Sequence, residues 1–438
     1  MRRQSSFALG FLALILVGAI LLSSPWARAS GTWGASIDSL FTATSAVCVT
    51  GLTTVDVGSE YSFAGQLVLL VLVQLGCLGL MTCGTFLLVA IGRRLSLSRE
   101  FSLMNAYGVA GVQGLRSLVI WMIGSTLLIE AAGAAVLYFQ LGDVYRSVFF
   151  SVMSFCNAGF SIYPDSITRF ASRPWVVTVM ALETMLGGIG FLVIYNLCTF
   201  RFLRKRSGAK GRLSLHTNVV LRFTLYLLAV MFVAFLYFEW DGALAKFSAI
   251  GDKLLVAFYQ AVTPRTCGFS IAPTETLKPI TRLFYEIMMF LGGAPGSAAA
   301  GIKVTTLAVL IYTITALCRG DSETIISHRV VPVDIVRESL VIVTALLTFA
   351  VAVVGALMIT EAKSSLAIDA LFFEAVSAVT TTGLAVGDIT ARLTDQGKIV
   401  VMVAMFIGRL GALTVVMMIG DRETQRHIRY PNEELVVG

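Results

Sequence analysis

The sequence has 438 residues, of which 57% are hydrophobic and only 13% are charged. Soluble globular proteins carry about a quarter charged residues, so this composition excludes a mainly water-facing surface and indicates a membrane protein. The net charge of +7 does not indicate nucleic-acid binding. Its basic residues cluster in particular loops, as in membrane proteins that keep positive charge on the cytoplasmic side.

Long apolar segments recur along the chain at the length that a membrane crossing requires. A hydrocarbon core of about 30 Å needs about 20 apolar residues in a helix, and residues 61–92 and 339–360 contain no formal charge at all. The pattern predicts eight transmembrane helices in an all-α polytopic membrane protein. The distribution of Lys and Arg predicts cytoplasmic termini, and the plasma (inner) membrane is the expected location. In chain order we place them at 7–24, 63–91, 117–139, 174–200, 217–238, 281–316, 337–359 and 398–419.

The first apolar segment has two interpretations. Arg2 and Arg3 precede it, and Ala27-Arg28-Ala29 follows it, which is the outline of a cleavable signal peptide. We prefer a retained membrane helix, because the repeat described next otherwise lacks its first element. The seven cysteines and three histidines are not clustered, so neither a zinc site nor a disulfide framework is predicted.

Four short segments resemble one another and reveal an internal repeat. Their glycines, Gly51, Gly159, Gly268 and Gly383, are 108, 109 and 115 residues apart. Each segment lies between two predicted membrane helices. In chain order the segments are SAVCVTGLT (45–53), MSFCNAGFS (153–161), VTPRTCGFS (262–270) and SAVTTTGLA (377–385).

This pattern predicts four M1–pore loop–M2 repeats of the same orientation, arranged with fourfold pseudosymmetry about the membrane normal. Inverted repeats, which many secondary transporters use, are not indicated. The repeats occupy residues 1–92, 93–212, 213–320 and 321–420, and a cytoplasmic tail follows at 421–438.

A glycine in each loop points to an ion filter. Non-helical backbone at membrane depth is tolerated only where it is buried in protein or lines water, and four such loops can offer carbonyl oxygens to a dehydrated cation. Glycine accepts the backbone angles that this requires. A helix-breaking glycine at a buried turn is the alternative for any single loop. We predict that K⁺ binds at backbone carbonyls of the four glycines and of the residues before them, Thr50, Ala158, Cys267 and Thr382.

Together with MFLGGAPGSAAAGIK (289–303), MFIGRLGALT (405–414) and the ending YPNEELVVG (430–438), these segments resemble the Trk/Ktr/HKT family of potassium transporters. The bacterial KtrB-type membrane subunits are the most similar branch. The resemblance covers nearly the whole chain. It implies channel-like potassium uptake, a homodimer with one pore per protomer, and a cytoplasmic KtrA-type nucleotide-binding regulatory ring. Sodium is a possible second ion, and no nucleotide is expected on this chain, which carries no nucleotide-binding domain.

The resemblance also implies a gate below the filter. Arg409 lies within the last apolar helix, and the family places the matching arginine in the pore as a positive barrier; a structural ion pair with Glu130, Glu183 or Glu286 is the alternative. The small residues at 292–303 predict an intramembrane gate segment between two half-helices, although close helix packing through small residues also fits. Its candidate residues are Gly292, Gly293, Gly296, Gly301 and Lys303.

A carboxylate follows each filter glycine by five to seven residues. Four such charges around the outer mouth would concentrate cations, whereas the alternative is ordinary polar loop chemistry. The four are Asp56, Asp165, Glu275 and Asp388.

One positive charge conflicts with a cation filter, because Arg265 lies three residues before Gly268. We expect Arg265 to point away from the axis and to pair with a carboxylate.

Two other functions are weighed against a pore. An alternating-access cation symporter coupled to Na⁺ or H⁺ is the main alternative, and single-channel flux would distinguish it. An enzyme is not predicted, since the sequence has no nucleophile–base set, metal cluster or phosphate-binding loop at suggestive spacing.

Overall fold

The computed structural model describes residues 2–92, 111–207 and 213–411. The predicted tail at 421–438 and the end of the last predicted helix lie outside these residues. The first part of the chain contains two long helices, α1 (Arg2–Ser23) and α3 (Phe63–Gly92), on either side of a short helix, α2 (Ser36–Val47). A single helical turn at Val57–Glu60 leads into α3, and α2 packs against both long helices.

The second part repeats this order but ends in a bent helix. Helix α4 (Gly111–Leu141) is followed by the short α5 (Val144–Phe155) and a 3₁₀ turn at Thr168–Phe170. Then come α6 (Pro174–Ile189) and α7 (Phe191–Ser207), which meet at an angle of 95°. The prediction of one helix at 174–200 is therefore wrong, because two helices occupy this range. The break falls at Gly190, whose φ of 86° and ψ of 143° are not helical.

The third part also has a divided second helix, here separated by a longer segment. Helix α8 (Leu215–Glu239) precedes the short α9 (Ile250–Val262), with 3₁₀ turns at Ala243–Lys246 and Thr274–Thr276. Helix α10 (Pro279–Phe290) then ends, and α11 (Val304–Arg319) begins 14 residues later. The interruption coincides with the run of glycine, alanine, serine and proline, residues that weaken or break a helix.

The fourth part begins with a small β-hairpin, in which β1 (Ile325–Ile326) pairs antiparallel with β2 (Arg329–Val330). The all-α prediction missed this hairpin. Helix α12 (Val333–Thr360) and the short α13 (Ile368–Thr380) follow it. After a single turn at Ile389–Arg392, α14 (Asp395–Leu410) closes the described chain.

The burial pattern is that of a protein whose outside is apolar. The four short helices form the centre, and their aromatic residues Phe41, Phe149, Tyr259 and Phe373 are fully buried. Large apolar side chains of the long helices face outward instead; Phe139 is 83% exposed. A helix of 12 residues spans only about 18 Å, so the short helices cannot cross a bilayer.

Within residues 2–92, 111–207 and 213–411, three helices are long and apolar enough to cross a membrane, at Val119–Leu141, Leu215–Glu239 and Val333–Thr360. The bent pair α6–α7 makes a fourth if it is counted as one span. The eight crossings and the fourfold pseudosymmetry remain predictions.

Polar contacts join three of the short helices to other parts of the chain. Each contact involves a residue near the start of the short helix. The Tyr145 hydroxyl of α5 donates to Gln66 Oε1 of α3 at 2.7 Å. Ion pairs Arg282–Asp369 (3.2 Å) and Lys398–Asp38 (2.9 Å) join α10 to α13 and α14 to α2. The last of these connects the end of the described chain to its beginning, so the parts are arranged in a closed ring.

Candidate cation pathway

Four glycines lie together at the centre of this ring. Each follows the carboxyl end of a short buried helix, and each has a positive φ angle: 97° at Gly51, 70° at Gly159, 81° at Gly268 and 85° at Gly383. Glycine tolerates this backbone region because it has no Cβ. The structure thus places the four glycines of the repeat in one site. We call residues 48–51, 156–159, 263–268 and 381–383 glycine loops 1 to 4.

Main-chain carbonyl oxygens connect the glycine loops in a ring. In each loop, the carbonyl oxygen of the residue before the glycine lies against the glycine of an adjacent loop. A Cβ on that neighbouring glycine would be 3.0 Å or less from the oxygen. Ordinary side chains at these positions would therefore collide with a neighbour's backbone. The contact of loop 1 with loop 4 closes the circle. The pairs, oxygen first, are Ala158–Gly51, Cys267–Gly159, Thr382–Gly268 and Thr50–Gly383.

A second residue in every glycine loop also has a positive φ, two positions before the glycine. None of these residues is a glycine. The left-handed region is unfavourable for the two threonines and the valine, and asparagine tolerates it better. Packing around the loops must hold them there, as is common at functional sites. The sequence analysis missed this feature, which residue type alone does not signal. The four are Val49 (54°), Asn157 (57°), Thr266 (63°) and Thr381 (49°).

Two serines hold the glycines of loops 1 and 4 in place. The N–H of Gly51 donates to Ser45 Oγ at 3.0 Å, and the N–H of Gly383 donates to Ser377 Oγ at 3.1 Å. Both serines lie six residues before their glycine. The equal spacing was visible in the aligned segments, but the hydrogen bond from the glycine N–H to the serine was not. In loops 2 and 3 the same position holds Met153 and Val262, which have no hydroxyl.

The glycine loops form the floor of an open cavity of about 320 Å³. Of the four predicted outer carboxylates, Asp56 and Asp388 line this cavity. Asp56 also caps the helical turn that follows it, because its Oδ1 accepts from the N–H of Gly58 at 3.2 Å.

The other two predicted outer carboxylates, Asp165 and Glu275, do not line the cavity, although both lie beside residues that do. Asp165 forms an ion pair of 2.6 Å with Arg169, whose guanidinium stacks on the ring of Tyr163 at 3.6 Å. Hydrogen bonds from that guanidinium lower the pKa of Asp165 below its ordinary value. Glu275 lies beside Gly387, where a Cβ would be 2.7 Å from its Oε2. The four predicted charges are therefore not equivalent.

The interrupted helix α10–α11 reaches glycine loop 3, where Arg265 Nη2 lies 3.5 Å from Gly292 O, and none of residues 292–303 lines the cavity. Backbone bonds fold the intervening chain into a compact structure: Ile302 N–H donates to Phe290 O at 2.8 Å, and Val304 N–H donates to Gly293 O at 3.1 Å. Gly296 and Gly301 have φ angles of 73° and 71°. Gly292 approaches the carbonyl of Ala300. We keep the name gate segment for residues 292–303.

Two cationic side chains hold the gate segment through its carbonyl oxygens. Arg409 Nη1 donates to Ala298 O at 2.5 Å, and Lys303 Nζ donates to Ala299 O at 2.6 Å. Arg409 is only 2% exposed, and no carboxylate of the described residues lies within 4 Å of it. Within the described part of the chain, Arg409 therefore forms no ion pair with Glu130, Glu183 or Glu286, which was the alternative.

Arg265 does not have the carboxylate partner that we expected. Its Nη2 lies 3.5 Å from Thr224 Oγ1 and 3.5 Å from Gly292 O, and within the described chain it forms no ion pair. The guanidinium is nevertheless buried. It contacts the start of the gate segment, so main-chain oxygen takes the role expected of a carboxylate.

Glu130 and Glu183 are buried near glycine loop 2 with neutral partners. Gln74 Nε2 donates to both oxygens of Glu130, at 3.1 and 3.2 Å, and the Ser151 hydroxyl donates to Glu183. Cys156, at the start of loop 2, lies 3.7 Å from Glu130 Oε1. These contacts tie α5 and the start of loop 2 to α3, α4 and α6.

A glycine also brings a long helix close to each of three glycine loops. Gly76, Gly187 and Gly408 lie against the carbonyl groups of Val47, Phe155 and Val379. Each of those carbonyls is four residues before a loop glycine. A related glycine-containing tetrapeptide occurs in all four repeats, and the sequence analysis did not use it. The tetrapeptides are GCLG (76–79), GGIG (187–190), GGAP (292–295) and GRLG (408–411).

An apolar helical body with four loops around a shared ring of carbonyl oxygens belongs to the class of membrane proteins that transport cations. Residues 13–425 match the family described as TrkH, cation transport protein. The chain belongs to this Trk/Ktr family, which confirms the family predicted from the sequence.

Several relatives match nearly the whole chain. It is 34% identical to the Ktr system potassium uptake protein B of Bacillus subtilis over 98% of this chain and 96% of the relative. It is 35% identical to the protein of the same name from Vibrio alginolyticus, over 98% and 94%. It is 31% identical to the potassium/sodium uptake protein NtpJ of Enterococcus hirae, over 98% and 96%. All three are named as transport proteins, which supports the prediction against an enzyme indirectly.

The fold is also similar to that of a solved structure. The crystal structure of the potassium transporter TrkH from Vibrio parahaemolyticus superimposes with a TM-score of 0.73 and covers 94% of this chain and 84% of that chain. The sequence identity is 16%, so this similarity concerns the fold alone.

Proposed function

We propose that this protein takes up potassium across the plasma membrane through one channel-like pathway per protomer. The observation that carries the proposal is the ring in which each glycine loop sets a carbonyl oxygen against the glycine of the next. Relatives named as potassium uptake proteins at 34% and 35% identity support K⁺ as the ion. The name of the Enterococcus hirae relative makes Na⁺ a second candidate.

The proposed filter works by replacing water around the ion. Carbonyl oxygens of the loop glycines and of Thr50, Ala158, Cys267 and Thr382 would substitute for the hydration shell of K⁺. The short helices end at these loops, and the carboxyl end of a helix carries about half an elementary negative charge. Four such ends favour a cation over an anion. In this proposal the chain has four M1–loop–M2 repeats, eight crossings and cytoplasmic termini.

The proposed gate is the gate segment together with Arg409 and Lys303. Both cationic groups bind carbonyl oxygens of that segment, and no described carboxylate neutralises Arg409. An unneutralised positive charge in a low-dielectric pathway repels a permeating cation strongly. In this position the segment would close the pathway, and its movement would open it.

The proposed outer attraction rests on two carboxylates rather than four. Asp56 and Asp388 line the cavity above the glycine loops, and negative charge in a cleft raises the local concentration of cations. Asp165 contributes less in this scheme because Arg169 offsets its charge.

The proposed assembly is a homodimer controlled by a cytoplasmic KtrA-type nucleotide-binding ring. The support is the name of two relatives, which are components B of a Ktr system. Nucleotide would then bind to the partner and not to this chain.

The purified protein in liposomes tests this proposal. We expect an outward K⁺ gradient to drive tracer uptake well above that of protein-free liposomes, with a smaller flux under a matched Na⁺ gradient. Single-channel currents should exceed the turnover of an alternating-access transporter. Uptake no higher than in protein-free liposomes, with and without a candidate regulatory ring, would overturn the proposal.

A further inference from the structure

The bend between α6 and α7 lies directly against the gate segment. Three main-chain hydrogen bonds join them: Ala294 N–H to Gly188 O at 2.9 Å, Ala298 N–H to Gly187 O at 3.1 Å, and Phe191 N–H to Gly296 O at 3.3 Å. We call residues 187–191 the seat. Because these bonds use only backbone atoms, they depend on the path of the chain rather than on side-chain identity.

The two surfaces fit closely. A Cβ at Gly190 would lie 3.0 Å from Pro295 O, and a Cβ at Gly296 would lie 2.8 Å from the ring of Phe191. Phe191 itself is buried. The gate segment therefore rests on the bend without room for an added methyl group.

The opposite side of the seat contacts glycine loop 2. Gly187 lies against the carbonyl of Phe155, and a Cβ there would be 3.3 Å from the side-chain amide of Asn157. With its amide oriented to donate, Asn157 bonds to Ser154 O at 2.9 Å and to Thr184 O at 3.1 Å. Asn157 is the residue with positive φ in loop 2, so the seat lies between the proposed filter and the proposed gate.

The seated arrangement and a straight helix exclude each other. In a continuous α-helix each N–H bonds to the carbonyl four residues earlier, so Phe191 N–H would bond to Gly187 O. In this structure Gly187 O accepts from Ala298, and Phe191 N–H donates to Gly296 O. If α6–α7 straightened, Phe191 N–H and Gly187 O would bond to each other within the helix. The gate segment would then lose its bonds to these two groups and be released. Such an element has two discrete states rather than a continuum.

We propose that the seat is a positioning element of the gate. The bend at Gly190 holds the gate segment in the closed position, and straightening of α6–α7 releases it. This inference rests on the proposed gate role of the segment, but it assigns the control of that role to a different repeat.

Gly190→Ala tests the bend. Alanine disfavours the φ of 86° at this position and therefore shifts the balance toward the straight helix. We expect K⁺ flux in liposomes to rise about tenfold, which corresponds to a shift of about 1.4 kcal/mol. The control is Gly320→Ala, at a glycine with a similar φ of 77° and nothing within 4 Å of an added Cβ. The control should leave the flux unchanged.

The pair Phe191→Pro and Phe191→Ala tests the same idea in the opposite direction. Phe191 begins α7, where proline is well tolerated, whereas in a straight helix proline would lie in the interior and disrupt it. Both variants lose the ring. Phe191→Pro alone blocks straightening, although it also loses the bond to Gly296 O. Because the interior penalty exceeds one hydrogen bond, we expect its flux to lie about threefold or more below that of Phe191→Ala.

A measurement of accessibility separates the seat from the gate. Ser297 is buried in the gate segment, so Ser297→Cys provides a thiol that reacts only when the segment leaves the seat. The background replaces the exposed Cys198 and Cys318 by serine. Gly190→Ala should raise the rate of reaction with a charged thiol reagent about tenfold, the same factor as for the flux.

The outcomes distinguish two failures. If deletion of residues 294–299 raises the flux but Gly190→Ala changes neither flux nor thiol reactivity, the seat is refuted and the gate stands. If thiol reactivity rises while neither variant changes the flux, the proposed gate is refuted. A higher flux in Phe191→Pro than in Phe191→Ala would also overturn the two-state inference.

Discussion

Arg409 donates a hydrogen bond of 2.5 Å to the carbonyl oxygen of Ala298, 111 residues earlier in the chain. This contact joins the last described helix to the gate segment, and it brings a buried positive charge to the proposed pathway. A charge at the bilayer centre costs about 2.5–3.5 kcal/mol on insertion scales, so its presence there calls for a function.

We expect Arg409→Ala to raise K⁺ flux at fixed voltage by about tenfold, because a barrier lowered by about 1.4 kcal/mol has that effect. Arg409→Lys keeps the charge and should stay much nearer to the wild type. Tracer flux in liposomes measures both. Equal flux in wild type and Arg409→Ala would contradict the barrier role.

Substitution of a loop glycine should disrupt the carbonyl ring. In Gly268→Ala the new methyl group would lie 3.0 Å from Thr382 O and the residue would keep a φ of 81°; backbone strain of this kind costs about 1–3 kcal/mol. We expect loss of K⁺ flux or of the preference for K⁺ over Na⁺, measured as a ratio of fluxes. Gly142→Ala is the matched control, with a φ of 68° and open space around it. Similar selectivity in both variants would count against the filter.

The serine hydroxyls of loops 1 and 4 should tune selectivity. Ser45→Ala and Ser377→Ala each remove a bond to a glycine N–H, worth about 0.5–1.5 kcal/mol, so we expect the K⁺/Na⁺ flux ratio to fall about two- to tenfold. Ser154→Ala serves as the control, because the buried Ser154 hydroxyl has no partner among the described residues. If Ser154→Ala changed the ratio as much as the other two, the hydrogen bonds to glycine would not be the cause.

Neutralising the cavity carboxylates should affect flux in a salt-dependent manner. The double variant Asp56→Asn, Asp388→Asn should lower K⁺ flux mainly at low ionic strength, since salt screens charges more than about 10 Å apart at 0.1 M. Asp165→Asn should have a smaller effect because Arg169 already offsets that charge. Flux compared at two ionic strengths is the readout, and a loss independent of salt would argue against electrostatic attraction.

The Asp165–Arg169 pair predicts a local dependence of stability on pH. The folded-state pKa of Asp165 is lowered from its ordinary 3.8, so the pair stabilises the fold above pH 3.8, and this contribution disappears as pH falls through the lowered pKa. Wild type should therefore unfold at a slightly higher temperature than Asp165→Asn at pH 7, with the difference lost in strong acid. A difference that grew on acidification would contradict this assignment.

Much of the site could be predicted because it depends on local rules. Glycine enters the positive-φ region at the least cost, so four glycines in matched contexts marked the loops. Small and helix-breaking residues marked the interruption before Val304 in the same way. The family, found from these motifs, agrees with the match over residues 13–425.

Other features were not predictable because they depend on which surfaces meet. The bend at Gly190 occurs in a segment whose composition equally suits a straight crossing. The backbone groups that the bend leaves unpaired within the helix bond to the gate segment instead. Arg265 was expected to find a carboxylate, but packing brought it to Thr224 and Gly292 O instead.

The amino-acid sequence by itself determined an apolar body, four equivalent loops and a membrane setting, because composition, periodicity and backbone preference act within short stretches of chain. Only the tertiary structure decided that Thr50 faces Gly383, that Asp56 and Asp388 line one cavity, and that the seat holds the gate segment. These contacts join residues far apart in the chain, so their energies exist only after the helices have packed.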